Sequence, residues 1–401
     1  MTFENHRAAS IKASPSMAIA MAAKKLRSEG RDIVDLSLGE PDFESPAHVG
    51  AAACDAVRAG GIRYGPSAGT EALRKAVAAK FKRDNGLDFS LDEITIGNGA
   101  KQILFDAFLA TLEAGDEVII PTPCWVSYGD IVSLHGGTPV YVDCGPQTGF
   151  KITAAMLNKA ITPRTRWLML NSPSNPTGAI YTSDEYKALE GVLAANPRIL
   201  IISDEIYEHI LLGTQPFVSF GVVCPSLRER TLIVNGVSKA YAMTGWRVGY
   251  AAGPKGLISS INKMQSQSVT SVCSVAQAAA LAALTGDQSF VGNGARIFAR
   301  RSALMSEGLA KIPELQFTPP DGAFYAFIGV GSLIGRKTPD GTILTDDTAI
   351  AAYLLNEFGL SSVPGVAFGS PAFIRLSIAA SDAELTSACD RLARMVASLE
   401  K

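Results

Sequence analysis

The residues best suited to chemistry lie in Ser238-Lys239-Ala240-Tyr241-Ala242-Met243-Thr244-Gly245-Trp246-Arg247. The lysine comes just after the apolar run Thr231-Leu232-Ile233-Val234, and an arginine stands eight residues beyond it, behind Gly245 and Trp246. An amine held where a strand ends can condense with a carbonyl group. A free lysine, with a pKa near ~10.4, is a poor nucleophile at neutral pH, but desolvation and cationic neighbours lower that value. The guanidinium offers a planar fork for phosphate. Together they suit Schiff-base chemistry on a phosphorylated carbonyl cofactor, and that cofactor is pyridoxal phosphate (PLP).

Three other stretches support this reading. Asn171-Ser172-Pro173-Ser174-Asn175-Pro176-Thr177-Gly178 is a rigid polar bend, in which Asn175 could donate to a phenolate oxygen of the cofactor. In Ser203-Asp204-Glu205-Ile206-Tyr207 a carboxylate stands at a strand end, where burying it unpaired is costly. Paired with a protonated pyridine nitrogen, Asp204 would keep that ring an electron sink, and Tyr207 could reach the ring oxygen. Gly97-Asn98-Gly99-Ala100-Lys101-Gln102 joins a strand to a helix whose first amides could hold an anion; alone it reads more readily as a plain glycine turn. Trp125 could stack on an aromatic cofactor or fill core. Arg375 could clamp a carboxylate or form a salt bridge. His48, His135 and His209 have no metal-ligand spacing, so packing or surface roles are expected, with no metal; His6 falls in a terminus expected to be mobile.

The elements that must position these groups alternate. Apolar runs end at Gly97, Pro121, Asp143, Asn171, Ser203-Asp204 and Asn235-Gly236, with helical periodicity between them, as from Ala100 to Leu112. Continuous apolar strands alternating with helices predict a parallel sheet covered on both faces. Ligands of such sheets bind beyond the carboxyl ends of the strands, where most of these polar residues fall. The last third differs. Helix is expected from about Ala276 to Ile312, at about 348–358 and 382–399, with strands at Gly322–Phe327 and Ile374–Ile378, forming an α+β unit against which Asp35-Leu36-Ser37-Leu38 packs.

Composition sets bounds. The chain has 401 residues, 47% hydrophobic and 18% charged, enough for a large core, and a net charge of −2 gives no field for nucleic acid. The N-terminus has no apolar h-region and no run approaches ~18 apolar residues, so neither signal peptide nor membrane span is expected. Six scattered cysteines without a C-x-x-C pair are expected to be free and mostly buried, which fits a reducing, cytoplasmic setting.

The order of motifs resembles the class I, fold-type I PLP-dependent aminotransferases, and most closely the bacterial β-subgroup of aspartate aminotransferases. The matching text is Ser37-Leu38-Gly39-Glu40-Pro41-Asp42-Phe43, Tyr64-Gly65-Pro66-Ser67-Ala68-Gly69, Gly99-Ala100-Lys101-Gln102, Trp125-Val126-Ser127-Tyr128, Asn175-Pro176-Thr177-Gly178, Asp204-Glu205-Ile206-Tyr207 and Ser238-Lys239. The resemblance implies an α/β fold: a large domain with a mostly parallel sheet sandwiched by helices, and a smaller α+β domain. It divides the chain into an N-terminal arm with part of the small domain (1–47), a large PLP-binding domain (48–295) and a small C-terminal domain (296–401).

The resemblance also implies roles. Lys239 would carry the Schiff base and shuttle the proton. Asp204 would pair with the pyridine nitrogen, Asn175 and Tyr207 would hold the ring oxygen, and Trp125 would stack on the ring. The amides of Ala100 and Lys101, with Ser238 and Arg247, would bind the phosphate, and Tyr64 would reach the neighbouring subunit's phosphate, implying a homodimer with shared active sites. Arg375 would clamp the α-carboxylate, with Gly39 lining the pocket and Lys101 meeting a distal carboxylate. Two positions depart from the pattern: Cys124 stands where tyrosine is usual, and Ala18 where a hydroxyl residue is expected near the distal carboxylate.

The expected activity is therefore transfer of an amino group between an amino acid, aspartate or glutamate, and a 2-oxo acid. Two siblings share the cofactor set: an aminotransferase of other specificity, aromatic or prephenate, and a carbon–sulfur lyase. A PLP-binding regulator of nucleic acid would need an additional DNA-binding domain.

Overall fold

The structure, a computed structural model, describes residues 3–5, 7, 9, 11 and 15–400; His6 lies outside them. Thirteen strands are described: β1 (Val34–Asp35), β2 (Ile94–Gly97), β3 (Glu117–Thr122), β4 (Thr138–Asp143), β5 (Thr165–Asn171), β6 (Leu200–Asp204), β7 (Thr231–Gly236), β8 (Gly249–Ala252), β9 (Gln316–Phe317), β10 (Tyr325–Gly329), β11 (Leu360–Ser361), β12 (Val363–Pro364) and β13 (Phe373–Ser377). Seven of them form the central sheet in the order β2-β8-β7-β6-β5-β3-β4.

Apolar continuity along these strands is what a sheet covered on both faces requires. Successive residues point to opposite faces, so Val118, Ile120, Trp167, Met169 and Ile202 join the core under the helices Ala100–Thr111, Ser127–Leu134 and Lys255–Ser268. Ile119, Leu168, Leu170 and Ile201 enter the opposite core, under Ala154–Ala160 and Ser183–Ala194. Each fully buried aliphatic side chain of this kind contributes roughly 1.5–3 kcal/mol. Helix starts are fixed locally: Thr182 and Glu185 form a capping box, as do Ser381 and Glu384.

The central sheet is mostly parallel, as expected, with one strand reversed. β8 runs antiparallel to both of its neighbours, β7 and β2. Its four residues, Gly249-Tyr250-Ala251-Ala252, are too short and too rich in Gly and Ala to register as a strand by pattern. The expected helix from 276 to 312 is two helices, Ser274–Thr285 and Ser289–Leu309, broken at Gly286.

The smaller unit is the antiparallel sheet β12-β13-β10-β9 with the helices Asp347–Phe358 and Asp382–Ser398 packed against it. β1 pairs in parallel with β11, so the N-terminal segment does join this unit. β10 starts three residues later than expected because the preceding backbone bonds elsewhere. Ala323 N donates to Ile210 O at 2.9 Å, Gly322 N to Gly178 O at 2.9 Å, and Leu212 N to Asp321 O at 2.8 Å. These bonds tie the small unit to loops that follow β5 and β6. No described helix is long and apolar enough to cross a membrane.

Candidate active site

β2, β3, β5, β6 and β7 run in one direction, so their carboxyl ends meet at one edge of the sheet. A cleft of about 500 Å³ opens there, lined by Gly39, Ala100, Lys101, Trp125, Asn175, Asp204, Tyr207, Ser238, Lys239, Arg247 and Arg375. Every site residue expected from sequence is brought together except Tyr64, which is 91% exposed and lies outside this cleft.

Lys239 follows β7, and its Nζ donates to Gly39 O at 2.7 Å. Burial, with Arg375 and Arg247 nearby, pushes the Lys239 ammonium down to about 8; Glu40 and Asp204 oppose that fall. Asp204 ends β6. Burial pushes its carboxyl up to about 6, against a 2.7 Å hydrogen bond from the Tyr128 hydroxyl to Oδ2. Amine and acid are thus both shifted toward their neutral forms in one cleft. Its neighbour Glu205 turns away: Oε1 accepts from Ser203 Oγ at 2.8 Å, Ser219 Oγ at 3.0 Å and Phe220 N at 3.1 Å. Burial and the Glu208 charge raise its pKa to about 8, so it stands as a neutral clip behind the site.

The loop after β5 is held by Asn171, whose Nδ2 donates to Asp204 O at 2.9 Å and whose Oδ1 accepts from Asn175 N at 2.9 Å. That leaves the Asn175 side chain to meet Arg375, whose Nη1 donates to Asn175 Oδ1 at 3.0 Å while Nη2 donates to Ser37 O at 2.5 Å. The Arg375 guanidinium lies between the rings of Tyr325 and Phe368, 4.5 and 4.9 Å from their centroids. Its Nε is buried without a partner, a donor an incoming anion would satisfy.

At the start of the helix Ala100–Thr111, Gly99 has φ of +81°, and a Cβ there would stand 2.3 Å from Arg247 Nη2. Only glycine lets the guanidinium come this close to the helix N-terminus, whose free amides favour an anion. Arg247 itself has φ of +55°, a backbone cost that surrounding structure must impose; its Nη1 donates to Thr244 O at 2.9 Å. Lys101 lies 4.7 Å over the ring of Trp125, and burial followed by the Arg247 charge lowers its pKa.

A buried network supports these loops from behind. Lys80 is paired with Glu208 and donates to Asn85 Oδ1 at 2.9 Å; Asn85 and Asn235 each donate to Glu208 at 2.8 Å. Asp84, Glu208 and His209 place ligand atoms within 4.8 Å of one another, and the Lys80 ammonium already supplies a cation beside Glu208.

The two departures are now located. Cys124 is buried in the core against which Trp125 packs, its thiol pushed up to about 12 by burial, and is not among the cleft's lining residues. From the segment around Ala18, it is Ser16 and Met17 that line the cleft. The cysteines are free, four of them buried, with Cys54 and Cys273 exposed. Arg301 binds Asp42 at 2.6 and 2.7 Å, and Arg300 binds Asp382 at 2.9 Å; neither lines the cleft. Sequence reasoning gave no role to Tyr128, Glu40 or Tyr325. Tyr128 falls one helical turn beyond Trp125, and Tyr325 alternates with Phe327 along a strand, signals that read equally as packing.

The fit to PLP is chemical and steric: a shifted amine, a buried acid, an anion cradle closed by a residue that must be glycine, and room for a ring with a small substrate. The aminotransferase class I and II family matches residues 31–392. An aspartate aminotransferase of Rhizobium meliloti is 48% identical over 387 residues, covering 96% of this chain and 94% of the relative. An aspartate/prephenate aminotransferase of Cereibacter sphaeroides is 46% identical, with 100% of each chain covered. The solved aspartate aminotransferase of Thermus thermophilus with maleate superposes with a TM-score of 0.92 at 41% identity, covering 98% of this chain and 100% of that one. With nearly the whole chain matched in sequence and in fold, and with a cleft that suits the cofactor, this protein belongs to the class I and II aminotransferases and is a PLP-dependent enzyme that moves an amino group between an amino acid and a 2-oxo acid.

Proposed function

We propose that the cleft holds the cofactor through Lys239, Asp204, Asn175, Tyr207, Trp125, Ser238, Arg247 and the Ala100 and Lys101 amides, and receives the substrate α-carboxylate on Arg375 beside Gly39 and Asn175. PLP, when bound, supplies the electron sink that makes an α-proton removable. The chain does the remainder. Lys239 Nζ would hold the cofactor through its aldehyde group and, as a free amine, would take the substrate's α-proton and return it; an amine pushed down to about 8 can serve as base close to neutral pH. Asp204 would pair with the cofactor's ring nitrogen and favour its protonated form. Arg375 fixes the α-carboxylate, and such orientation is worth several kcal/mol. The observation that carries this reading is a buried lysine and a buried aspartate, both shifted toward neutrality, facing one cleft. Lys239→Ala is expected to abolish the cofactor's imine absorbance and nearly all turnover. Transamination at a tenth of the parent rate would overturn the assignment.

The proposed donors are aspartate and glutamate, with Lys101 meeting the distal carboxylate; the Rhizobium and Thermus relatives are named for aspartate, the latter solved with a dicarboxylate. A second reading adds aromatic substrates, because Met17, Leu38 and Val126 give the cleft an apolar rim and one relative is named for prephenate as well as aspartate. Amino-donor profiling with 2-oxoglutarate and oxaloacetate as acceptors separates the two. We further propose the division 1–47, 48–295 and 296–401, with the helix Ser289–Leu309 bridging the last two parts, a cytoplasmic setting, and a homodimer in which Tyr64 completes the partner's site. Tyr64 is exposed, and its loop is anchored by Thr70 N donating to Gln277 Oε1 at 2.8 Å.

A further inference from the structure

Tyr325 is the first residue of β10 and is 1% exposed. It touches three parts of the cleft at once. In the antiparallel pairing of β10 with β13, Phe327 faces Arg375 and Tyr325 faces Ser377, so Tyr325 and Arg375 are diagonal neighbours on one face. The guanidinium lies 4.5 Å from the Tyr325 ring centroid. The Tyr325 hydroxyl is 2.8 Å from that of Tyr207. The same hydroxyl lies against Gly39, where a Cβ would stand 2.1 Å from it; Gly39 is also the residue whose carbonyl accepts from Lys239.

Either hydroxyl of the pair can donate, and the surroundings favour one direction. Two hydroxyls that share one hydrogen bond place one hydrogen between the oxygens and leave the other free. Around Tyr325 stand a guanidinium, which has donors only, and the Cα of Gly39. Among the described residues its one hydrogen-bond partner is Tyr207. With its hydrogen on the Tyr207 oxygen, Tyr325 has a protein acceptor and the Tyr207 hydrogen is free to face the cleft; the reverse order would leave the Tyr325 hydrogen without a protein acceptor.

We infer that Tyr325 is a positioning residue that couples the carboxylate clamp to the cofactor pocket: its ring holds Arg375 flat, and its hydroxyl sets the Tyr207 hydroxyl to donate to an anionic oxygen in the cleft. This rests on the proposed role of Tyr207 at the cofactor's ring oxygen. A donor that receives a hydrogen bond is a better donor, and an anionic oxygen held by a weaker donor is more basic. Removing the Tyr325 hydroxyl thus raises the pH midpoint of the bound cofactor's visible absorbance.

The test uses purified holoenzyme with cofactor content and melting temperature measured for each variant. Tyr325→Phe keeps the ring and removes the donor; the midpoint is expected to rise by about half a unit to one unit, with inhibition by a non-reacting dicarboxylate such as succinate little changed. In the Tyr207→Phe background the same substitution is expected to add no shift. Tyr325→Leu, which also removes the ring, is expected to weaken succinate inhibition severalfold. A midpoint that moves in Tyr207→Phe but not in Tyr325→Phe overturns the coupling and leaves the site reading intact. A midpoint that fails to move in Tyr207→Phe overturns the site reading itself. Equal shifts from Tyr325→Phe in both backgrounds show an effect that bypasses Tyr207 and also overturn the coupling.

Discussion

The groups that matter most are expensive to bury, and that cost is measurable. Burial pushes the Asp204 carboxyl up to about 6 in the fold, against ~3.9 in an unfolded chain. A carboxyl whose folded pKa is raised stabilises the fold below the unfolded value, and the benefit is lost as pH rises through the folded one. For the apoenzyme, this carboxyl should lower stability between pH ~4 and ~6 by about 3 kcal/mol. Lys239 does the opposite at higher pH: a depressed ammonium penalises folding while protonated, and relief comes from pH ~8 to ~10.4. Melting curves of apo parent and Asp204→Asn across pH 4–6 check the first claim; the variant is expected to lose most of that slope, and an unchanged slope would contradict it. In the proposed site, Lys101 meets the substrate's distal carboxylate. Lys101→Ala is expected to reduce kcat/KM for aspartate and glutamate at least tenfold more than for alanine or phenylalanine, the scale of one desolvated ion pair. Equal losses across that panel would remove the distal-carboxylate role.

At the scale of elements, the site is a set of strand ends and one helix start. The strands were legible because buried parallel strands are continuous apolar runs, and Asn171, Asp204 and Lys239 stand where those runs stop. β8 was not legible, since Gly249 and its two alanines pack against neighbours that no local pattern reveals. Nor was Tyr325, whose partners lie 118 residues away at Tyr207 and 50 residues away at Arg375. The same limit applies to Glu205: the motif shows a carboxylate, but only the fold turns it away from Asp204 onto Ser219 and Phe220. Gly99 carries a prediction for the helix start. Gly99→Ala forces a left-handed backbone on alanine and drives Cβ into Arg247, at a cost of about 1–3 kcal/mol. Cofactor affinity, read by equilibrium dialysis, is expected to fall about ten- to a hundredfold; unchanged affinity would mean that the helix start does not hold the phosphate.

The whole molecule adds a claim that one chain cannot satisfy. Tyr64 lies outside its own cleft, so in the proposed dimer each site takes Lys239 from one chain and Tyr64 from the other. Tyr64→Ala and Lys239→Ala homodimers should each be impaired. Refolding them together is expected to create heterodimers with one fully restored site, recovering activity that neither parent has. A mixture no more active than the average of the two would show that the sites are not shared.

The most direct test of the account asks where the cofactor is attached. Holoenzyme treated with borohydride, digested and mapped by mass spectrometry is expected to carry one reduced phosphopyridoxyl group, on the peptide containing Ser238-Lys239 and on the Lys239 Nζ. A group found on Lys101 or another lysine, or no covalent adduct in catalytically active enzyme, would contradict it.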